Sequence, residues 1–367
     1  MTDATVTVVN ENQQQGGFNA IERTALFLGT SPNISDNVIA VNAQTDISAV
    51  FGSGVLATQL NAAQANGGSN WQAYAVSLTS ADAWSDTLSR VIENVDPEFI
   101  VLCDPISGIG DIQLMATQLE SLRTRFAKRC LGLVTLPAID SDTQTWAQYN
   151  AEVIDLQEGF AGERVFLVPP THGNNTGVLA GRLCRHEVSI ADSPQRVRTG
   201  PLYGLGAPVL DSALNEITDA ELTQLRANRM NCLKRYPGYD GVYWGNLNSL
   251  APEGSDYQNG EWLRIADKAA RQVRVQAIGL IDNRSINSST VSREYTKSIL
   301  LRPLKVMSRS AVINGIPFPG EIEPPTAESI TLNWKSKTAL DVYLSLKPLD
   351  SPKTLRVGIL LDLSNPV

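Results

Sequence analysis

The sequence predicts an α/β domain followed by an α+β domain, with a short strand at each end of the chain. Three observations lead there. Short apolar runs alternate with helical patterns from residue 16 to about 192, whereas helices and hairpins alternate from 193 to 350. The two ends, "ATVTVV" and "TLRVGILLDLSNPV", carry strand-like apolar segments set off by the tethers "NENQQQGG" and "KPLDSPK".

The chain has 367 residues, too many for one ordinary core. Its 43% hydrophobic and 19% charged residues suit a folded protein, and a net charge of −8 argues against nucleic acid as a partner. The start, "MTDATVTVVNENQQQGG", lacks the basic and apolar regions of a secretory signal, and no run approaches the ~18 apolar residues of a membrane helix, so no membrane insertion is expected. Cys103, Cys130, Cys184 and Cys232 form no CxxC pair and are expected to be reduced, buried thiols without a metal.

Element by element, residues 1–15 hold the first strand, with Thr5, Val6, Thr7 and Val8, and its tether. In the α/β domain, 16–192, short apolar runs alternate with helical patterns from "AIERTALFLGT" onward, and "AYAVSL", "EFIVLCDP", "CLGLVTLP" and "RVFLVPP" read as buried strands. Between "EFIVLCDP" and "CLGLVTLP", Ile112, Met115, Leu119, Leu122 and Phe126 form one helical stripe. The Pro- and Gly-rich stretch 191–210 marks the expected boundary. Thr218 with Glu221 is a reciprocal helix cap, and "EWLRIADKAARQVRVQAIGLI" is a helix with Trp262, Ile265, Ala269, Val273, Ala277 and Leu280 on one face. Asn314-Gly315 predicts a tight hairpin, because both residues tolerate positive φ. "ITLNW" and "LDVYLSL" follow as alternating strands, the second with Leu340, Val342, Leu344 and Leu346 on one face. The last segment, 351–367, alternates Leu355, Val357, Ile359, Leu361 and Leu363 with other residues.

Catalytic chemistry is sparse. His172 and His186 have no metal-ligand spacing, and no GxSxG or P-loop occurs. An enzyme reading rests on Asp104, just after a buried strand, and on "GSGVLA" from Gly52 to Ala57, whose glycines could admit a nucleotide phosphate. Charge is more telling: from Glu261 to Arg309 there are ten basic residues against four acidic ones, in an acidic chain. Arg264, Lys268, Arg271 and Arg274 lie off the apolar stripe of the 261–281 helix, which reads as a solvated face or as a dock for an acidic protein.

The order of these pieces resembles a contractile tail sheath protein of phages and related injection machines. The resemblance is carried by "AVFGSGVLATQLNAAQANGGSNWQAYAVSLT", by "ADAWSDTLSRVIENVDPEFIVLCDP", and by "GVYWGNLNSLAPEGSDYQNGEWLRIADKAARQVRVQAIGLI" with the "INGIPFPGEI" turn. The chain is short for that family and lacks the Arg-Thr often found in its aromatic-glycine hairpin. The resemblance implies an outer α/β domain (16–192), an inner assembly domain (193–350), and terminal arms exchanged between subunits, each arm adding a strand to a neighbour's sheet near 330–346. It further implies stacked hexameric rings around a tail tube protein, bounded by baseplate and terminator proteins, in a virion tail made in the host cytoplasm. Under it Arg264, Lys268, Arg271 and Arg274 face the tube, and no catalytic residue or cofactor is expected.

Overall fold

The computed structural model describes residues 21–35 and 37–358. The N-terminal strand expected at 4–9, with Thr5, Val6, Thr7 and Val8, and the later part of the C-terminal strand, with Ile359, Leu361 and Leu363, lie outside them.

Five parallel strands, β1 (Ala25–Thr30), β3 (Gln72–Leu78), β4 (Phe99–Leu102), β5 (Leu131–Thr135) and β6 (Val165–Val168), form the body, with β2 (Ile39–Asn42) antiparallel on one edge. The order is β2-β3-β1-β4-β5-β6, so the winding reverses between β1 and β4. Helices cover both faces. Leu26, Leu28, Ile100, Leu102, Val134 and Leu167 share a core with residues of α3 (Trp84–Val91), α4 (Ile109–Phe126), α5 (Trp146–Leu156) and α7 (Asp219–Ala227). The alternate side chains, among them Phe27, Ala75, Phe99, Val101, Leu133 and Phe166, pack with α1 (Ile47–Phe51), α2 (Val55–Gly67) and α6 (Asn175–Leu183). Burial on both faces is why these strands read as continuous apolar runs. The α4 stripe is as expected, with Ile112, Met115, Leu119 and Leu122 buried.

Helices α2 and α6 touch through backbone. A Cβ on Gly177 would lie 2.0 Å from the Gln59 carbonyl oxygen, and one on Gly181 would lie 2.2 Å from that of Ala63. The Gly177 N–H donates to Gln59 Oε1 at 2.6 Å, which fixes the crossing.

A separate core holds α8 (Gly260–Ile278) and α9 (Thr290–Met307) against the hairpin of β11 (Ile330–Trp334) and β12 (Leu340–Leu344), while β9 (Ala311–Ile313) and β10 (Ile316–Phe318) form a further, mostly exposed hairpin after α9. Ile265, Ala269, Val273, Leu300, Leu304, Met307, Ile322 and Ile330 are its centre. Asn314 and Gly315 take φ of 48° and 76°, the conformation expected of that turn.

The two cores do not divide at residue 192. Leu222, Leu225, Met230 and Cys232 belong to one face of the sheet. Leu233, Trp244 and Leu247, from or beside the hairpin of β7 (Leu233–Tyr236) and β8 (Tyr239–Trp244), belong to the other. The segment 193–250 is therefore part of the α/β body, and the division falls near the start of α8. The Pro- and Gly-rich stretch is a surface connection within that body, because composition marks irregular backbone and not the limit of a core.

Candidate functional site

The reversal between β1 and β4 is where open α/β sheets place ligands. Here the crevice is bridged from within, and a cavity of about 190 Å³ remains beside the bridge, lined among others by Leu28, Leu78, Trp84, Leu102 and Asp104. Asp104, following β4, accepts from the Thr30 N–H at 2.7 Å and from the Thr30 hydroxyl at 2.6 Å, bridging the two strands that would have to part. The Gly52–Ala57 loop is covered by its own chain: a Cβ on Gly52 would lie 2.8 Å from Pro32 Cγ, and one on Gly54 would lie 3.1 Å from Pro32 Cδ. Pro32 thus sits where a phosphate would approach. His172 is buried, with Thr171 Oγ1 3.1 Å from its Nδ1, and burial lowers its pKa below the ordinary 6.5. Burial does the same to His186, helped by the charge of Arg23. The four cysteines are free and buried. Among the described residues no group of His, Cys, Asp and Glu could hold a metal, and no helix is long and apolar enough to cross a membrane.

The α8 basic residues behave differently from the expectation of one exposed face. Arg264 is 2% exposed and makes a two-pronged pair with Glu98, Nε to Oε1 at 2.7 Å and Nη2 to Oε2 at 2.9 Å. It also donates to the Leu183 carbonyl at 3.0 Å, and its guanidinium stacks over Phe99. Arg271 pairs with Glu22 at 2.9 Å and donates to the Arg129 carbonyl at 3.2 Å. Lys268 pairs with Glu321 at 2.7 Å. Asp267, on the same helix, takes Arg164 in a fork at 2.7 and 2.8 Å and Arg129 at 3.2 Å. Only Arg274 of the expected four is exposed, and it makes no ion pair among the described residues. The physical reason is geometric. Residues 264, 267 and 271 recur at three and four, so they share a stripe beside the apolar one and meet whatever the helix rests on.

That support is the N-terminal rim of the sheet. Glu22, Glu98, Arg129 and Arg164 stand just before β1, β4, β5 and β6, and α8 runs across all four. Burial alone raises the Glu98 pKa, but Arg264, then Arg271 and the Arg23 N–H, outweigh it and hold the carboxyl below its usual 4.5. The acidic partners went unrecognised in the sequence; Glu98, directly before an all-apolar strand, was the available signal.

The exposed cations lie mostly elsewhere. On α9 Arg302 and Lys305, and beyond its end Arg309, are exposed without an ion pair among the described residues. They share that side with Val306, 63% exposed.

The C-terminal segment runs over the surface of the body, where Ser351 to Leu355 line a cavity with Asp192, Arg196 and Tyr236. Residues 351–358 pair with no strand among the described residues, and Leu355 and Val357 are 79% and 74% exposed. Leu340, Val342, Leu344 and Leu346, the expected acceptors, are half-buried, the last three against the second core. Among the described residues β11 and β12 form a sheet of two strands only, each with a free edge.

Comparison with known proteins agrees with the order of these parts. Residues 4–248 match the DUF2586 N-terminal domain, and residues 256–364 match the DUF2586 C-terminal domain, a division close to that between the cores. A protein of Haemophilus phage HP1 (strain HP1c1), provisionally designated a tail sheath protein, is 39% identical over 96% of both chains. The crystal structure of the sheath tail protein from Desulfitobacterium hafniense has the same fold, with a TM-score of 0.58 over 95% of this chain and 97% of that one at 11% identity. That of the sheath tail protein from Listeria innocua gives 0.62 over 90% and 93%, also at 11% identity. With both domains matched in order and a relative of the same extent, the chain belongs to the DUF2586 family of tail sheath proteins.

Proposed function

We propose that this chain is the subunit of a contractile sheath that polymerises as stacked hexameric rings around a tail tube protein, between baseplate and terminator proteins. Contraction drives the tube through the host envelope. The observation that carries this reading is the open C-terminal segment, whose Leu355 and Val357 alternate with polar residues yet are not buried by their own body. Such a strand gains backbone hydrogen bonds and a dry face only by joining another sheet. The free edges of β11 and β12, with Leu340, Val342, Leu344 and Leu346 behind them, are the acceptor in a neighbouring subunit. The N-terminal arm with Thr5, Val6, Thr7 and Val8 is assigned the same use.

The tube contact is carried by Arg274 together with Arg302, Lys305 and Arg309, since Arg264, Lys268 and Arg271 are taken up inside the subunit. Exposed ion pairs contribute about 0–1 kcal/mol each, weak enough to break when the sheath contracts. Two alternative packings of subunit faces supply the extended and contracted states. No catalytic step is needed.

Negative-stain electron microscopy of the full chain beside a chain ending at Asp350 tests the reading. Tubes or stacked rings are expected from the first and none from the second, with both folded. Equal small particles from both would refute it.

A further inference from the structure

The C-terminal segment is tethered at one side chain. Lys353 donates to Asn246 Oδ1 at 2.5 Å and to Asn259 Oδ1 at 2.6 Å, and it forms an ion pair with Glu261. The ammonium also lies 5.9 Å from the centre of the Trp262 ring. The acceptors are set in advance. Asn246 Nδ2 donates to Asn248 Oδ1 at 2.8 Å and to Asn259 Oδ1 at 3.0 Å, which leaves the Asn246 oxygen turned toward Lys353. Glu261 is 2% exposed, and no other cation reaches it among the described residues. If Lys353 withdrew, a carboxylate would remain buried without a partner, so the lysine is held more firmly than a surface ion pair would hold it. Directly beyond it, Thr354 to Gly358 are all exposed.

Glu261 lies in the first turn of α8, and Arg271 of the same helix holds Glu22, where the N-terminal segment joins the body. Ten residues of helix separate the two attachments, about 15 Å at 1.5 Å per residue. We propose that Lys353 is the anchor of the C-terminal arm and that α8 is a rod tying both arm roots together. Its two clamps are Glu261–Lys353 and Arg271–Glu22. The arm's free reach then begins at residue 354. A pull on it passes to α8, and from there along the helix to the other root and through Arg264 and Asp267 to the strand starts. This rests on the reading of the terminal segments as exchanged arms.

The test uses the full chain with Lys353→Met and Glu261→Gln together, which removes the anchor without leaving a buried charge. A nitroxide on Thr354→Cys reports the motion of the root, because all four native cysteines are buried and spared. In the double variant the label is expected to move faster. Polymers are expected to require about tenfold higher concentration, equivalent to about 1.4 kcal/mol. The melting temperature should be unchanged, and Lys353→Arg should retain both slow motion and assembly. If the double variant does not fold, Lys353→Gln with Glu261→Gln, which keeps a neutral donor for the asparagines and leaves no buried charge, takes its place with the same expectation. Normal polymerisation of the anchorless chain, while a chain ending at Asp350 fails to assemble, overturns the anchor alone. If the chain ending at Asp350 also assembles normally, the arm reading falls, and the anchor's role falls with it.

Discussion

Arg264 offers the sharpest test of the idea that α8 is welded to the sheet. Arg264→Met keeps the length of the side chain but removes three charge-assisted hydrogen bonds, two to Glu98 and one to Leu183. It leaves Glu98, itself 1% exposed, with only the Arg23 N–H at 2.7 Å as a direct donor. Removing one member of such a buried pair costs about 3–5 kcal/mol. For a body of roughly 150–250 residues each kilocalorie shifts the melting temperature by about 2–4 °C, so a fall of about 6–20 °C is expected in calorimetry. Adding Glu98→Leu should recover much of that loss, since an apolar pair of similar volume is tolerated where a lone charge is not. Glu98→Leu alone should be as damaging as Arg264→Met. A single Arg264→Met chain melting within about 1 °C of the parent would refute the reasoning, because the pair would then contribute nothing.

Four further expectations concern the body. Glu98 has a folded pKa below 4.5, so its stabilisation is complete above that value and is lost as pH falls through the folded value. Urea midpoints from about pH 6 to about pH 3 should show this loss in the parent and lack it in Glu98→Gln. Gly181→Ala places a methyl 2.2 Å from the Ala63 carbonyl oxygen and should destabilise the body by about 1–3 kcal/mol in denaturant titrations, whereas Gly159→Ala, with open space around it, should act only through its φ of 71°. Asp104→Ala should cost about 1–3 kcal/mol by freeing the Thr30 N–H, yet leave polymer formation intact. Nucleotides should not raise the melting temperature of the parent; a rise would reopen the crevice as a binding site.

Much of the fold is legible in the sequence where periodicity is strong. Four of the five parallel strands (β3, β4, β5 and β6), the α4 stripe, the Thr218–Glu221 cap and the Asn314-Gly315 turn are all found where the pattern puts them. Helix α6 is not legible, because all nine of its residues are buried and it includes Gly177 and Gly181, so it has neither a polar face nor helix-favouring composition. The site is harder to read than the fold. A basic residue on a helix gives the same signal whether it faces water, a tube or a carboxylate 166 positions away, as with Arg264 and Glu98. Lys353 was likewise hidden in a proline-rich tether, its partners Asn246, Asn259 and Glu261 being brought to it only by tertiary structure.

The placement of α8 across the strand starts also orders events in time. Its partners precede β1, β4, β5 and β6 by one to three residues, so the four ion pairs can close only on a sheet whose strands are already in register. The helix is synthesised after that sheet, so its docking is expected to follow formation of the sheet. Glu22 and Lys353 both pair with this helix, and so, under the proposed arm exchange, a subunit whose helix has not docked would hold neither arm root in place.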